Sequence, residues 1–202
     1  MCAAKRMSEV ERKKEIIDSA IKVISEKGLE RATMEDIIAG TTLSKGGVYH
    51  YYKNVFEVFK DIMIFGIEYR NEIIKSHLNE CKKGYEKQFI AKQIVDKMLD
   101  DNPYMPLYVE LLRNKKRNPE LIKLMFELQE KTKECIKDVF DSNFIYFVNI
   151  NNFQFLTNFI NSIIMSADLL DARENFKENR MLLEQMILLI LENREENSDE
   201  SL

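Results

Sequence analysis

Thr33-Met-Glu-Asp-Ile-Ile-Ala-Gly-Thr-Thr-Leu-Ser-Lys-Gly-Gly-Val-Tyr-His-Tyr-Tyr52 is the stretch that decides the fold. Its pattern predicts two very short helices joined by a tight turn, the second ending in an aromatic cluster. Helices this short are weak in isolation, because nucleation consumes most of what a few hydrogen bonds return. A chain that keeps such a pair holds it on neighbouring helices as a presentation device, whose most common use is to place the second helix in a DNA major groove.

Local chemistry marks the boundaries. Thr33 and Asp36 form a capping pattern ahead of Ile37 and Ile38. Ser44 is placed to cap the second helix, with Leu43 before it as a staple. Gly46 and Gly47 then fall in its first turn, where glycine is a poor helix former. Without side chains they let the helix N-terminus approach a phosphate or base edge, where amides and the helix dipole favour negative charge. The alternative is that the two glycines simply mark a loop.

Thr33 through Val58 resembles the tetracycline-repressor (TetR) family of helix-turn-helix regulators, whose signature runs roughly T-x-x-x-I-A-x-x-A-G-V-S-x-G-x-x-Y-x-Y-F-x-x-K. Thr33, Ile37, Ser44, Gly46, Tyr49 and Tyr51 match, and Tyr52 stands where the family often has Phe. Arg12 to Gly28 extends the likeness as a supporting first helix. The departures are Ile38 for a small Ala, Thr41-Thr42 for the Ala-Gly of the turn, and Val55-Phe56 for a common Lys-Glu. Thr42 bears on the turn because glycine most readily takes positive φ.

Composition agrees with an all-α chain. Three prolines and six glycines are few for 202 residues, and apolar residues recur at helical spacing nearly throughout. No apolar run is long enough to span a membrane; Met186 to Leu191 is short and flanked by charge. The N-terminus lacks the apolar core of a secretory signal, and a cytoplasmic location is expected. Cys2, Cys81 and Cys135 suggest neither a disulfide framework nor a metal site, although a redox-sensing pair remains open. The net charge of −4 hides an asymmetry: residues 1–60 hold 11 Lys+Arg against 9 Asp+Glu, leaving 19 against 25 for the rest. The pattern is a mildly basic head on an acidic body, with Lys5, Arg6, Arg12, Lys13, Lys45 and Lys53 as candidates for the positive face.

Caps and periodicity predict about nine helices. The first runs from about Ser8 to Lys27 with Gly28 as its stop, and the short pair follows. A long fourth helix starts at Asn54-x-x-Glu57 and runs toward Leu78, and a fifth spans Tyr85 to Leu99. Asn102-Pro103 and Asn118-Pro119 read as N-caps with proline at the first position of the sixth and seventh. Phe144 to Val148 is ambiguous between strand and helix. Phe153 to Leu170 and Asn175 to Glu195 are the last two helices, and the tail after Glu196 is expected to be disordered. The domains expected are 1–54, a three-helix DNA-binding head, and 55–202, a larger helical effector-binding and dimerisation body.

In the head, Thr33, Tyr49 and Lys53 are expected to hold phosphate, which fixes register, and Lys45, Gly47 and His50 to face base edges. Tyr51 is expected at phosphate or sugar, with Ser44 and Gly46 completing the DNA-facing set, while Val48 and Tyr52 pack inward against Ile21 and Ile37. His50 is a poor metal-ligand candidate, since His77 is the only other histidine. No metal or cofactor is expected.

In the body, Tyr69, Tyr104, Tyr108, Phe126 and Phe159 are candidates to line an apolar cavity, joined by Met105 and Phe153, although such residues at helical spacing also suit plain core. The resemblance implies a repressor released from a palindromic DNA operator by a small apolar or aromatic effector. It also implies a homodimer through the last two helices, where Phe155, Phe159, Ile163, Met165, Leu182, Met186, Leu189 and Ile190 exceed one core stripe. Two other classes stay open. An α-helical enzyme is disfavoured by the lack of a nucleophile–base pair, P-loop or H-E-x-x-H pattern. An adaptor or nucleoid or cell-division protein would use the head only for DNA tethering. Operator sequence, effector identity, regulated genes and the sign of regulation are not written in the chain.

Overall fold

The computed structural model describes residues 8–139 and 153–192. Lys5, Arg6, Cys2, the Phe144–Val148 run and the tail after Glu196 lie outside the described residues. All regular structure among the described residues is helical.

The first helix, α1 (Glu9–Lys27), opens on a reciprocal capping box between Ser8 and Glu11. It closes at Gly28, which takes a positive φ of 78° and donates its N–H to the Ile24 carbonyl. α2 (Met34–Ala39) starts with the Thr33–Asp36 box, and α3 (Lys45–Tyr51) with Ser44, whose Oγ accepts the Gly47 N–H at 3.1 Å. α4 (Val55–Ser76) is capped by Asn54 Oδ1, which accepts the Glu57 N–H at 2.9 Å. The Glu57 carboxylate takes the Lys53 N–H instead of completing the box on Asn54.

After a 3-10 turn at Leu78–Glu80 come α5 (Glu86–Leu99), α6 (Met105–Asn114), α7 (Pro119–Val139), α8 (Phe153–Leu169), α9 (Arg173–Glu178) and α10 (Arg180–Glu192). Pro119 opens α7 as expected. Two boundaries differ from the reading of the sequence. α6 does not begin at Pro103: the Asn102 side chain accepts the Tyr104 N–H at 2.9 Å and makes a turn first, and Pro106 sits in the first turn instead. The final helix is broken at Asn179, whose side-chain amide and backbone N–H both bond the Asn175 carbonyl, so α9 stops and α10 restarts. That break raises the count to ten α-helices among the described residues.

The chain forms two compact units, Met1–Gly66 with Asn102–Leu124, and Ile67–Asp101 with Met125–Leu202. In the first unit Ile16, Ile17, Ala20 and Ile24 of α1, Ile37 of α2, Val48 of α3 and Val58, Phe59 and Ile62 of α4 are buried. Each aliphatic side chain so buried contributes about 1.5–3 kcal/mol, which is how six- and seven-residue helices are held. α6 packs on α1 in the same unit. The Leu29 N–H donates to Glu110 Oε1 of α6 at 3.1 Å. In the second unit α5 packs against α8, α9 and α10, burying Val95, Met98, Ile164, Leu183 and Ile187.

Candidate nucleic-acid interface

The turn between α2 and α3 is built by α1. Ser19, buried in α1, donates its hydroxyl to the Ile37 carbonyl at 2.7 Å, and the Gly40 N–H shares that acceptor. A Cβ on Gly40 would lie 2.2 Å from Ser19 Oγ, so glycine is required there for space and not for its φ of −87°. The Glu15 carboxylate of α1 accepts the Thr42 N–H. Thr42 does not have positive φ; among the described non-glycine residues only Asp171 does. The Thr41-Thr42 departure is thus accommodated by a side-chain acceptor from α1. Glu15 and Ser19 escape a reading of the sequence because nothing local marks a residue whose partner lies 27 or 18 positions on.

α3 presents two faces. Val48 and Tyr52 are buried, as expected. The Tyr52 hydroxyl donates to Asp61 Oδ2 at 2.8 Å, and burial, then Asp61, pushes its pKa up. On the other side Ser44, Lys45, Gly46, Tyr49 and His50 are exposed, with Gly47 and Tyr51 half-exposed. Lys45 Nζ rests 3.2 Å from Glu35 Oε1 and 5.7 Å from the Tyr49 ring centroid. Its hydrogen bond holds the Glu35 carboxyl below its ordinary range. Both groups are well solvated, and such a pair is weak enough to exchange for a phosphate. His50 and Tyr51 meet edge to face at 5.1 Å. A Cβ on Gly46 would meet nothing within 4 Å. The fold therefore does not need a glycine at 46, and its bareness leaves the backbone there open to a partner. Lys53 is exposed beyond α3, and Arg12 and Lys13 are half-exposed on α1.

Thr33 is already engaged. Its Oγ1 accepts the Asp36 N–H at 3.2 Å and donates to Asp36 Oδ2 at 2.8 Å. Lys27 lies 2.6 Å from the other oxygen of that carboxylate, and Lys27 first, then Thr33, holds Asp36 below its ordinary range. Thr33 thus secures α2 in this structure.

The five expected cavity residues fall in different units. Tyr104 and Tyr108 are half-buried in the first; Tyr69, Phe126 and Phe159 belong to the second, with Phe126 64% exposed. A cleft of about 490 Å³ in the second unit is lined by none of them. Among the described residues no group of three His, Cys, Asp or Glu side chains is placed to hold a metal, and no helix is long and apolar enough to cross a membrane. Cys81 and Cys135 form no disulfide among the described residues, and burial followed by Glu86 pushes the Cys81 thiol up, away from the thiolate a redox sensor needs.

The chain is an all-α helix-turn-helix protein. Residues 16–62 match the family described as bacterial regulatory proteins, tetR family. The biofilm operon icaADBC HTH-type negative transcriptional regulator IcaR of Staphylococcus epidermidis is 31% identical over 100 residues, covering 49% of this chain and 52% of that relative. IcaR of Staphylococcus aureus strain Newman is 27% identical over 100 residues, with 49% and 53% covered. The chain spans about half the length of these curated relatives. Salmonella enterica GusR superposes with a TM-score of 0.70 at 15% identity, covering 94% of this chain and 100% of that one. The fatty acid degradation regulator FadR from Bacillus halodurans does so at 0.69 and 17%, covering 94% and 100%. These likenesses show the fold across most of the chain. The family match itself is confined to the head, residues 16–62.

Proposed function

We propose that this chain is a sequence-specific DNA-binding transcriptional regulator, working in the cytoplasm as a repressor released from a palindromic operator by a small effector. The observation that carries it is the two-sidedness of α3: Val48 and Tyr52 lock it to the core, while Lys45, Gly46, Tyr49 and His50 stand clear of it. In this reading residues 1–54 act as the reading head and 55–202 as the effector-binding and dimerisation body. Lys45, Gly47 and His50 face base edges; Tyr49, Tyr51 and Lys53 hold the backbone; Ser44 and Gly46 keep the helix start close to it. Thr33 joins the phosphate contacts only where its hydroxyl can serve both Asp36 and a phosphate. Tyr69, Tyr104, Tyr108, Phe126 and Phe159 remain the apolar effector candidates.

The protein acts as a homodimer. One seven-residue helix covers few base pairs, and a two-fold pair reads half-sites about 34–36 Å apart or a multiple of that. α10 supports this pairing: Leu183, Ile187 and Leu191 are buried within the chain, while Leu182, Met186 and Leu189 line a second face open to solvent. That IcaR is a negative transcriptional regulator favours repression here.

Selection of bound sites from a random DNA pool tests the reading. The expected result is a palindrome bound about 10³-fold or more tightly than random DNA. Salt-sensitive binding without preference would leave only a tethering role.

A further inference from the structure

We propose that Glu35 on α2 is a specificity residue: its carboxylate keeps the Lys45 ammonium available to a neutral base edge and withholds it from the phosphates of random DNA. The inference rests on Lys45 facing base edges, as in the regulator reading above.

Glu35 is the second residue of α2 and Lys45 the first of α3, and the turn between the two helices brings them together. Lys45 Nζ lies 3.2 Å from Glu35 Oε1 and 5.7 Å from the Tyr49 ring centroid, so a carboxylate and a ring face restrain one ammonium. Among the described residues Glu35 is the carboxylate that pairs with Lys45. The start of α2 does not depend on it: Asp36 completes the capping box with Thr33 and takes Lys27. The hydrogen bond from Lys45 holds the Glu35 carboxyl below its ordinary range, which keeps it anionic. Glu35, Lys45, Gly46 and Tyr49 are all exposed, so a negative charge stands on the face that α3 offers to DNA.

The discrimination comes from charge. An ammonium has three N–H groups, so Lys45 can keep Glu35 and still donate to a base acceptor such as guanine O6 or N7. A base edge is neutral and brings no charge to the carboxylate. A phosphate is an anion, and sharing the same ammonium sets it close to Glu35. There the like charges repel, and the water that would screen them is displaced as the surfaces meet. A phosphate contact by Lys45 therefore costs the Glu35 pair, and a base contact does not. Random DNA is held through its phosphates, so Glu35 penalises that mode more than it penalises the operator complex. Preference rises because the unproductive mode is weakened.

Affinities of the full chain for its selected operator and for a random-sequence duplex, each followed across a salt series, test this. Glu35→Gln should tighten binding to the random duplex about two- to fivefold. Its salt slope should steepen by about 0.9 per head, the value for one more phosphate neutralised. Operator affinity should change less, so the preference falls. In a Lys45→Met background the same change should leave the random-DNA slope where it was, because no ammonium is there to release. A role confined to the helix start would move the Tm and neither slope nor preference. Both side chains are exposed, and circular dichroism should show the variants folded. Equal gains on operator and random DNA, an unchanged slope, or a steeper slope that persists without Lys45 overturns the proposal. Lys45→Met with base preference intact removes the base-facing reading of Lys45 and this proposal together. Lys45→Met that loses preference, beside a Glu35→Gln that keeps it, removes this proposal alone.

Discussion

Ser19 Oγ occupies the space a side chain on Gly40 would need: a Cβ built there falls 2.2 Å from that oxygen and 3.2 Å from Ser19 Cβ. Because Ser19 also bonds the Ile37 carbonyl from a buried position, it cannot move aside without leaving that contact. Gly40→Ala should therefore destabilise the head by about 1–3 kcal/mol as an overpacking change, and Ser19→Ala by about 1 kcal/mol for the lost hydrogen bond. Denaturant unfolding should show the double variant less destabilised than the sum, since removing the hydroxyl opens room for the methyl. Strict additivity would disprove the close packing.

The α6–α1 contact has the same character. Glu110 Oε1 accepts the Leu29 N–H, and a Cβ on Gly28 would sit 2.9 Å from it, at a backbone φ of +78°. Glu110→Ala should cost about 1–2 kcal/mol through the orphaned amide. Gly28→Ala should cost about 1–3 kcal/mol, because a φ of 78° with a ψ of 157° is nearly confined to glycine. Thermal unfolding checks both; a Gly28→Ala protein as stable as the original would show that Gly28 is not held in that conformation.

At Gly46 folding and binding should part company. With nothing within 4 Å of its Cβ position, Gly46→Ala should leave stability unchanged or raise it by up to about 1 kcal/mol, as expected for glycine in a helix. Operator affinity should fall, since the methyl intrudes where the backbone meets DNA. Full affinity in a mobility-shift titration would show that DNA does not approach α3 at this point.

Tyr49 and His50 are adjacent and exposed, yet their substitutions should separate. Tyr49→Ala should weaken binding to all sequences alike. His50→Ala or Lys45→Ala should also relax preference at one position, by about 1–3 kcal/mol. Competition between the selected site and single-base variants measures this, and unchanged affinity for Tyr49→Ala would show that α3 is turned differently on the DNA.

On α10, Leu182→Glu should break the homodimer while leaving the helical spectrum intact, whereas Leu183→Glu one position on should unfold the second unit. Leu182 is 55% exposed and Leu183 only 4%. Sedimentation with circular dichroism distinguishes them; a dimer that survives Leu182→Glu and Leu189→Glu together would place the contact elsewhere.

The sequence by itself determined the helical class and the register of the head. Ser8, Thr33, Ser44 and Asn118 each bond a backbone N–H within three residues, so their signals lie inside one short window. Val48 and Tyr52 were legible as the inward face of α3 because four residues return a helix nearly to the same side. Only the tertiary structure decided what depends on distant partners. Glu15 under Thr42, Ser19 against Gly40, Glu110 on Leu29 and Arg70 on Gln93 join residues 21 to 81 positions apart, and no local pattern encodes such meetings. The break at Asn179 was missed for a related reason, since an asparagine in a helical run leaves open whether its side chain turns to water or back to its own backbone. Local hydrogen bonding is written along the chain; packing and charge compensation arise where the folded chain brings distant segments together.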